Sequence, residues 1–111
     1  MNIYKFYFNH LINAVEKFKS DFKYSFKIEE ILKKLTLEPP KNPINGDMST
    51  NLAMILSKDL KLSPKIIAEN FMDYILNFPG VDNVNVAGPG FINITFKQNV
   101  WSDFLSNMLQ N

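Results

Sequence analysis

Residues 81–96, VDNVNVAGPGFINITF, constrain the fold more than any other stretch, because two alternating runs flank a Gly-Pro-Gly. Alternation with a period of two is typical of β-strands, and glycine and proline between two such runs predict a hairpin. The sequence thus predicts strands over Val81–Ala87 and Phe91–Phe96. A type II turn over residues 88–91 would place Pro89 at its second position and Gly90 at its third, where φ is positive.

The two faces of the second predicted strand differ in an unusual way. One face carries only apolar side chains, those of Ile92, Ile94 and Phe96, and is predicted to face the core. The other face carries Phe91, Asn93 and Thr95, which places a large aromatic ring where water is expected. Phe91 and Asn93 project about 7 Å apart, twice the strand rise of roughly 3.3 Å. This spacing suits a ring that stacks on a nucleobase while an amide hydrogen-bonds to the edge of the base.

The residues of the hairpin alone leave two interpretations open. In the first, a ligand binds this face, and the glycines of the turn allow close approach because they have no side chain. In the second, a helix or a neighbouring domain covers Phe91, and Asn93 only caps a strand edge.

Apolar residues at helical spacing predict five helices. The first covers residues 2–19 and buries Tyr4, Phe8, Leu11, Val15 and Phe18, and the second buries Ile28, Ile31, Leu32 and Leu35. The third follows a capping Ser49 or Thr50 and buries Leu52, Ile55, Leu56 and Leu60. The fourth begins at Ser63-Pro64, buries Ile67, Phe71, Tyr74 or Ile75, and Phe78, and ends at Pro79-Gly80. The last carries Val100, Trp101, Phe104, Leu105 and Met108.

Two segments between these helices are predicted to be extended. Residues 23–26 form a short strand, and the proline-rich TLEPPKNPING of residues 36–46 is excluded from helix and ends in a turn through Asn45-Gly46. Glu38 and Asp47 lie near these turns, where an Asx-turn or capping role is expected rather than catalysis. Antiparallel strands with helices packed on one face predict a two-layer α+β domain over residues 1–111.

The composition excludes several classes of site. The 111 residues contain no cysteine and a single histidine, His10, which excludes disulfides, thiolate metal sites and paired-histidine zinc sites. A net charge of +1 argues against a purely electrostatic nucleic-acid binder. No phosphate-binding glycine motif occurs, and the sequence indicates neither catalytic residues nor a metal site. Polar residues interrupt the apolar N-terminal segment, which indicates neither a signal peptide nor a membrane span.

Two motifs in the second half of the chain carry a resemblance to a known family. NGDMSTNLAMILSKDLKLSPKIIAENF, which contains Gly46, Asp47 and Asn51, is followed by VAGPGFINITF. Together they closely resemble the N-terminal additional domain of bacterial arginyl-tRNA synthetase. The match is specific across residues 45–96, whereas the first and last helices agree only in kind and position.

The resemblance implies a two-layer fold that contacts the D-loop of tRNA-Arg. It implies that Phe91 and Asn93 read a variable base of that loop, with Gly88, Pro89 and Gly90 as the tRNA-binding turn. Gly46, Asp47 and Asn51 are implied to be architectural, holding a turn and capping a helix.

For the rest of the parent enzyme the resemblance implies a class I synthetase that joins arginine to tRNA with ATP and magnesium in the cytoplasm. The domain itself is implied to be non-catalytic and to hold no cofactor. Its expected partners are tRNA-Arg and the catalytic domain of the same chain, with no DNA and no membrane. Two alternatives stay open: a protein-interaction domain with no RNA contact, and a free-standing RNA-binding paralogue.

Overall fold

A computed structural model of the chain describes residues 2–100, 102–104 and 106. The helices are α1 (Ile3–Asp21), α2 (Ile28–Lys34), α3 (Leu52–Leu60) and α4 (Pro64–Leu76). The strands are β1 (Leu37–Glu38), β2 (Met48–Thr50), β3 (Val81–Ala87) and β4 (Phe91–Phe96). One 3₁₀ turn covers Pro43–Asn45. Residues 100, 102–104 and 106 are helical, and the predicted positions Trp101, Leu105 and Met108 lie outside the described residues.

The four strands form one antiparallel sheet in the order β1-β2-β4-β3, and the predicted α+β two-layer class is confirmed. Residues directly opposite each other on antiparallel strands project from the same face. Met48 pairs with Ile94, and Ile94 pairs with Val84, so these buried side chains form one face. The helices pack on this face and bury it, with α4 against β3 and α3 against β4.

A β-bulge adjusts the start of β3 to this face. Val81 pairs with Phe96 and Asn83 pairs with Thr95, so the register shifts by one residue between the two pairs. Because an extra residue reverses the alternation, Val81 and Val84 are both buried although they are three residues apart. The prediction that Val84 and Val86 lie on the same face of β3 is confirmed. Val84 is buried and Val86 is half-buried.

The buried stripe of α1 is displaced from the predicted one. Its members are Ile3, Tyr7, Leu11, Ala14, Val15 and Phe18. Tyr4 and Phe8 are half-buried and pack against this core from its edge. The Tyr7 ring stacks on Phe96 with centroids 4.6 Å apart, and the Phe18 ring lies 4.3 Å from that of Phe71. These ring contacts fix α1 against β4 and α4.

Local predictions for the segments between the helices are confirmed in part. Residues 23–26 are not a strand, because Lys23 takes a positive φ of 58° and Tyr24 N donates to Lys19 O, which ends α1. Ser49 does not cap a helix, because its side chain lies on the outer face of the sheet, opposite Asn93. Thr50 serves the start of α3 instead, since its Oγ1 accepts from Leu52 N at 3.3 Å. The proline-rich segment is extended except for its one 3₁₀ turn.

The start of α4 agrees with its sequence signal. Ser63 Oγ accepts from Ile66 N at 3.2 Å and Pro64 is the first helical residue. The buried side of α4 carries Ile67, Ala68, Phe71 and Ile75. In the part of the chain that the structure describes, no helix has both the length and the apolar character needed to cross a membrane.

Candidate functional site

The outer face of the sheet, opposite the helices, carries a row of polar side chains. Glu38 is opposite Ser49, Ser49 is opposite Asn93, and Asn93 is opposite Asn85. The row therefore crosses all four strands. Two pairs further along the hairpin, Ala87 is opposite Phe91, so the aromatic ring lies on the same face beside this polar row, as the alternation predicts.

The outer face is not open to water, because the chain between β1 and β2 folds over it. We call residues 39–46 the covering segment. Asn85 Nδ2 donates to the Asn45 carbonyl at 3.4 Å, which ties the covering segment to β3. Asn93 is only 2% exposed and Phe91 is half-buried. The expectation that both side chains stand on a wet face is therefore wrong for Asn93 and only partly right for Phe91.

Gly46 and Asp47 fasten the covering segment to β4. Asp47 N donates to Ile94 O at 2.8 Å, and Asp47 Oδ2 accepts from Phe96 N at 2.8 Å. Burial and, to a smaller extent, the Asp47 carboxylate raise the pKa of Tyr4, which places α1 near the same carboxylate. The segment approaches so closely that a Cβ on Gly46 would lie 2.9 Å from Ile94 O.

We expect Gly46→Ala to lower the free energy of unfolding by about 1–3 kcal/mol, the cost of a backbone region that only glycine occupies readily. Gly46 has φ 143° and ψ −167°, and the added methyl group meets a backbone carbonyl that cannot move without shifting β4. Urea unfolding monitored by circular dichroism measures the loss, and amide NMR shifts along β4 report the displacement.

The matched control is Gly88→Ala, which also replaces a glycine of positive φ (58°). There the nearest heavy atom to the added Cβ is Phe91 Cδ2 at 4.0 Å, an ordinary contact. The control should cost about 1–2 kcal/mol for the left-handed backbone alone. It should also leave the shifts of β4 beyond the turn unchanged. Equal losses and equal shifts in both variants would contradict the close approach at Gly46.

The hairpin turn is offset by one residue from the predicted turn. Gly90 N donates to Ala87 O at 3.3 Å, so the turn closes over residues 87–90 rather than 88–91. Its first central residue, Gly88, has a positive φ, and Pro89 takes the second central position. This arrangement is that of a primed turn, whose twist matches the flanking strands. The predicted type II geometry is therefore wrong, although the strand ends are as predicted.

Gly90 positions the turn against α4 instead of facing the outer surface. It is buried, and a Cβ at this position would lie 2.5 Å from Cβ of Pro64. Because only glycine allows this approach, Gly90 fixes the distance between the hairpin and the start of α4.

Asn51 joins two other elements rather than capping the helix that it precedes. Its side chain makes no capping bond to α3. Instead Oδ1 accepts from Thr36 N at 2.9 Å and Nδ2 donates to Lys34 O at 3.0 Å. Both bonds hold the chain as it leaves α2 and enters β1, and so they position the strand that leads into the covering segment. The predicted helix cap at Asn51 is wrong for α3.

A cleft of about 380 Å³ lies between the covering segment, the polar row and the hairpin turn. Its lining consists of Thr36, Glu38, Pro39, Pro40, Lys41, Asn45, Ser49, Ala87, Gly88, Pro89, Phe91 and Asn93. Ser49 and Asn93 are the buried floor, and Lys41, Gly88 and Pro89 are exposed at the rim. The volume is at the lower end of the range, roughly 300–1,000 Å³, that small-ligand sites occupy.

The lining of this cleft combines stacking and hydrogen-bonding groups. It offers an aromatic ring, amide and hydroxyl groups, proline rings, a positive charge on Lys41 and a negative charge on Glu38. Among the described residues no group of three or more His, Cys, Asp or Glu side chains is placed to hold a metal ion. A planar ligand could stack on Phe91 and hydrogen-bond to the amide groups of the floor.

The structure brings together four of the predicted tRNA-binding residues, Gly88, Pro89, Phe91 and Asn93, in one cleft. The fifth, Gly90, faces Pro64 and does not line it. Sequence reasoning missed Ser49, Asn45 and Asn85. Asn85 could have been found from the hairpin register. If Ala87 is opposite Phe91, then Asn85, two residues earlier, is opposite Asn93.

Comparison with known proteins agrees with the resemblance of the motifs. The sequence profile of the family described as "Arginyl tRNA synthetase N terminal domain" matches residues 7–96. A protein of Bartonella henselae named "Arginine--tRNA ligase" is 37% identical over 110 residues, which are 99% of this chain and 18% of that protein. Proteins of the same name from Azorhizobium caulinodans and Rickettsia akari are 36% and 34% identical over 99% and 90% of this chain.

The chain spans 18% of the length of these curated relatives. The family profile covers most of the chain, including all of the strands and the cleft that they form. By its sequence, the chain belongs to the family of arginyl-tRNA synthetase N-terminal domains.

Proposed function

We propose that this chain is the tRNA-recognition domain of an arginine–tRNA ligase and that its cleft binds a base of the D-loop of tRNA-Arg. The observation that carries the proposal is the position of Phe91 beside the polar row, in a cleft whose floor is Asn93 and Ser49. An aromatic face next to hydrogen-bonding groups is how single-stranded RNA loops are recognised in general.

The catalytic steps belong to the remainder of the parent protein in this proposal. The relatives named arginine–tRNA ligase are much longer than this chain, and the match covers 18% of their length. We propose that the rest of the parent joins arginine to tRNA with ATP and magnesium in the cytoplasm. This domain would contribute selection of the tRNA and would dock on the catalytic domain of the same chain.

The isolated chain should bind tRNA only weakly. Stacking of one base on an aromatic ring contributes about 1–3 kcal/mol. One amide contact to a base adds roughly 1–3 kcal/mol. The sum of roughly 2–6 kcal/mol brackets the value of about 4 kcal/mol that corresponds to a millimolar Kd. With a net charge of +1, phosphate contacts add little. Submicromolar binding at physiological salt would contradict this estimate.

The proposal is tested by following the amide NMR spectrum of the chain while a tRNA-Arg transcript is added. We expect shifts concentrated at residues 88–93 and in the covering segment, and weaker shifts when the D-loop base is replaced. Shifts that spread over the exposed lysines and ignore the replaced base would overturn it. An absence of localised shifts at high RNA concentration would favour a protein-interaction domain instead.

A matched pair of aromatic variants separates stacking in the cleft from nonspecific stacking. Phe91→Ala should weaken the binding of the tRNA, because the ring on which the base stacks is removed. Phe22→Ala removes a phenylalanine that is 45% exposed at the end of α1 and does not line the cleft, so it should leave the binding unchanged. Equal weakening by both changes would mean that exposed rings bind RNA without a defined site.

A further inference from the structure

Two asparagine side chains and one backbone carbonyl form a directional chain of hydrogen bonds beneath the cleft. Asn85 Nδ2 donates to the Asn45 carbonyl at 3.4 Å, and Asn93 Nδ2 donates to Asn85 Oδ1 at 3.3 Å. A backbone carbonyl can only accept, so the first bond requires the NH₂ group of Asn85 to face the covering segment. The oxygen of Asn85 then faces Asn93, and Asn93 must donate to it from its own NH₂ group.

The direction of this chain determines what Asn93 offers to a ligand. With Nδ2 committed to Asn85, Oδ1 lies on the other side of the amide plane. Among the described residues, none donates a hydrogen bond to this oxygen, and no fully buried side-chain oxygen or nitrogen is without a partner. Oδ1 of Asn93 therefore keeps access to the cleft that the residue lines.

We infer that Asn85 is a positioning residue: it turns the side-chain oxygen of Asn93, rather than its NH₂ group, towards the cleft. An asparagine amide that is free to rotate by 180° presents either group, and it distinguishes poorly between donors and acceptors on a ligand. Held by Asn85, Asn93 accepts from an N–H group and rejects a carbonyl oxygen at the same place. This inference deepens the proposed function, because it states which chemical group of a base the site selects.

Gly46 and Asp47 acquire a role in the site through the same chain of bonds. The Asn45 carbonyl is the fixed end of the chain, and it belongs to the covering segment. Asp47 is tied to β4 through both its backbone N–H and its carboxylate, and Gly46 allows the close approach. The position of the Asn45 carbonyl thus follows from the Gly-Asp pair that precedes β2.

The first test needs no RNA. Asn85→Leu keeps the shape of the side chain and removes both of its polar groups, and Asn85→Asp keeps an oxygen that can accept from Asn93. In the wild type, hydrogen exchange of the Asn93 side-chain NH₂ should be slow, because Asn93 is 2% exposed and bonded. Exchange should be about tenfold faster in Asn85→Leu, the factor that corresponds to one hydrogen bond. In Asn85→Asp it should stay near the wild-type rate.

Fast exchange in the wild type, or equal rates in wild type and Asn85→Leu, would overturn the positioning role. If Asn85→Leu does not fold, Asn85→Ala takes its place, because it removes the same two polar groups with a smaller side chain. Equal exchange rates in wild type and Asn85→Ala would then overturn the positioning role.

The second test measures selection with two D-loop hairpin RNAs that differ in one group. One carries adenine at the variable base and the other carries unsubstituted purine, which lacks only the 6-amino donor. The wild-type chain should prefer adenine, Asn85→Leu should lose the preference, and Asn85→Asp should keep it. Phe91→Ala should weaken both RNAs without inverting their order.

The two tests separate failure of the inference from failure of the proposed function. A preference that survives in Asn85→Leu would overturn the selecting role of Asn85. If the wild type binds neither RNA, the proposed function fails, and the exchange rates alone decide whether Asn85 orients Asn93.

Discussion

Ile94→Ala is expected to lower the free energy of unfolding by about 2–5 kcal/mol, the usual cost of truncating a buried isoleucine. Ile94 is 1% exposed at the centre of β4, and it lies between Met48 of β2 and Val84 of β3. The cavity would open where three strands and the helical layer meet, so little relaxation can fill it. Urea unfolding at 25 °C measures the loss as a lower midpoint at unchanged slope.

The matched control is Ile66→Ala, which makes the same change at an isoleucine that is 48% exposed on α4. Most of the removed surface is already in contact with water there, so we expect a change within about 0.5 kcal/mol. If both alanine variants lost the same free energy, the assignment of Ile94 to the packed face of the sheet would be wrong.

Phe91→Ala should have the opposite profile, with a small loss of stability and a large loss of tRNA selection. In the full parent enzyme we expect kcat/KM for arginylation to fall about 5- to 150-fold, the equivalent of one stacked base at roughly 1–3 kcal/mol. Phe91 is half-buried on the outer face, away from the helical layer, so its truncation opens no cavity in the core. Steady-state arginylation together with thermal unfolding of the same variant measures both quantities.

Phe91→Ala and Ile94→Ala thus form a crossed pair. Phe91→Ala should lower the arginylation activity at a nearly constant free energy of unfolding. Ile94→Ala should lower the free energy of unfolding and have the smaller effect on binding in the cleft. Equal thermal destabilisation by the two changes would mean that Phe91 belongs to the core, and the outer face would then have been assigned wrongly.

Elements with strong local signals were predictable from the sequence. The alternation and the glycine–proline turn locate β3 and β4 at their observed ends, and Ser63-Pro64 locates the start of α4. Each of these signals acts within a few residues, through backbone conformation or a capping bond, so it does not depend on the rest of the fold.

Elements that depend on distant partners were not predictable in the same way. β2 has only three residues, and it exists because Met48–Thr50 pairs with β4, more than forty residues further along the chain. Ser49 and Thr50 were expected before a helix, where hydroxyl side chains are common caps. Because Ser49 pairs with β4, its side chain is buried on the outer face of the sheet instead.

The candidate site follows the same division. Phe91 and Asn93 were found from the alternation, and their common face is confirmed by the strand register. The burial of Asn93 was not predictable, because it results from the covering segment, whose path depends on Gly46 and on the bonds of Asp47 to β4. A composition rich in proline indicates an extended segment, but it does not indicate the surface on which that segment lies.

The central claim, that Phe91 contacts the variable base of the D-loop, is tested most directly by a double-mutant cycle on arginylation by the full enzyme. The cycle combines Phe91→Ala with a tRNA-Arg transcript whose D-loop base has been removed, leaving the backbone intact. If ring and base stack on each other, either change alone lowers kcat/KM, and the second change adds almost nothing to the first. If Phe91→Ala lowers kcat/KM by the same factor on the intact and the abasic tRNA, the ring does not contact that base.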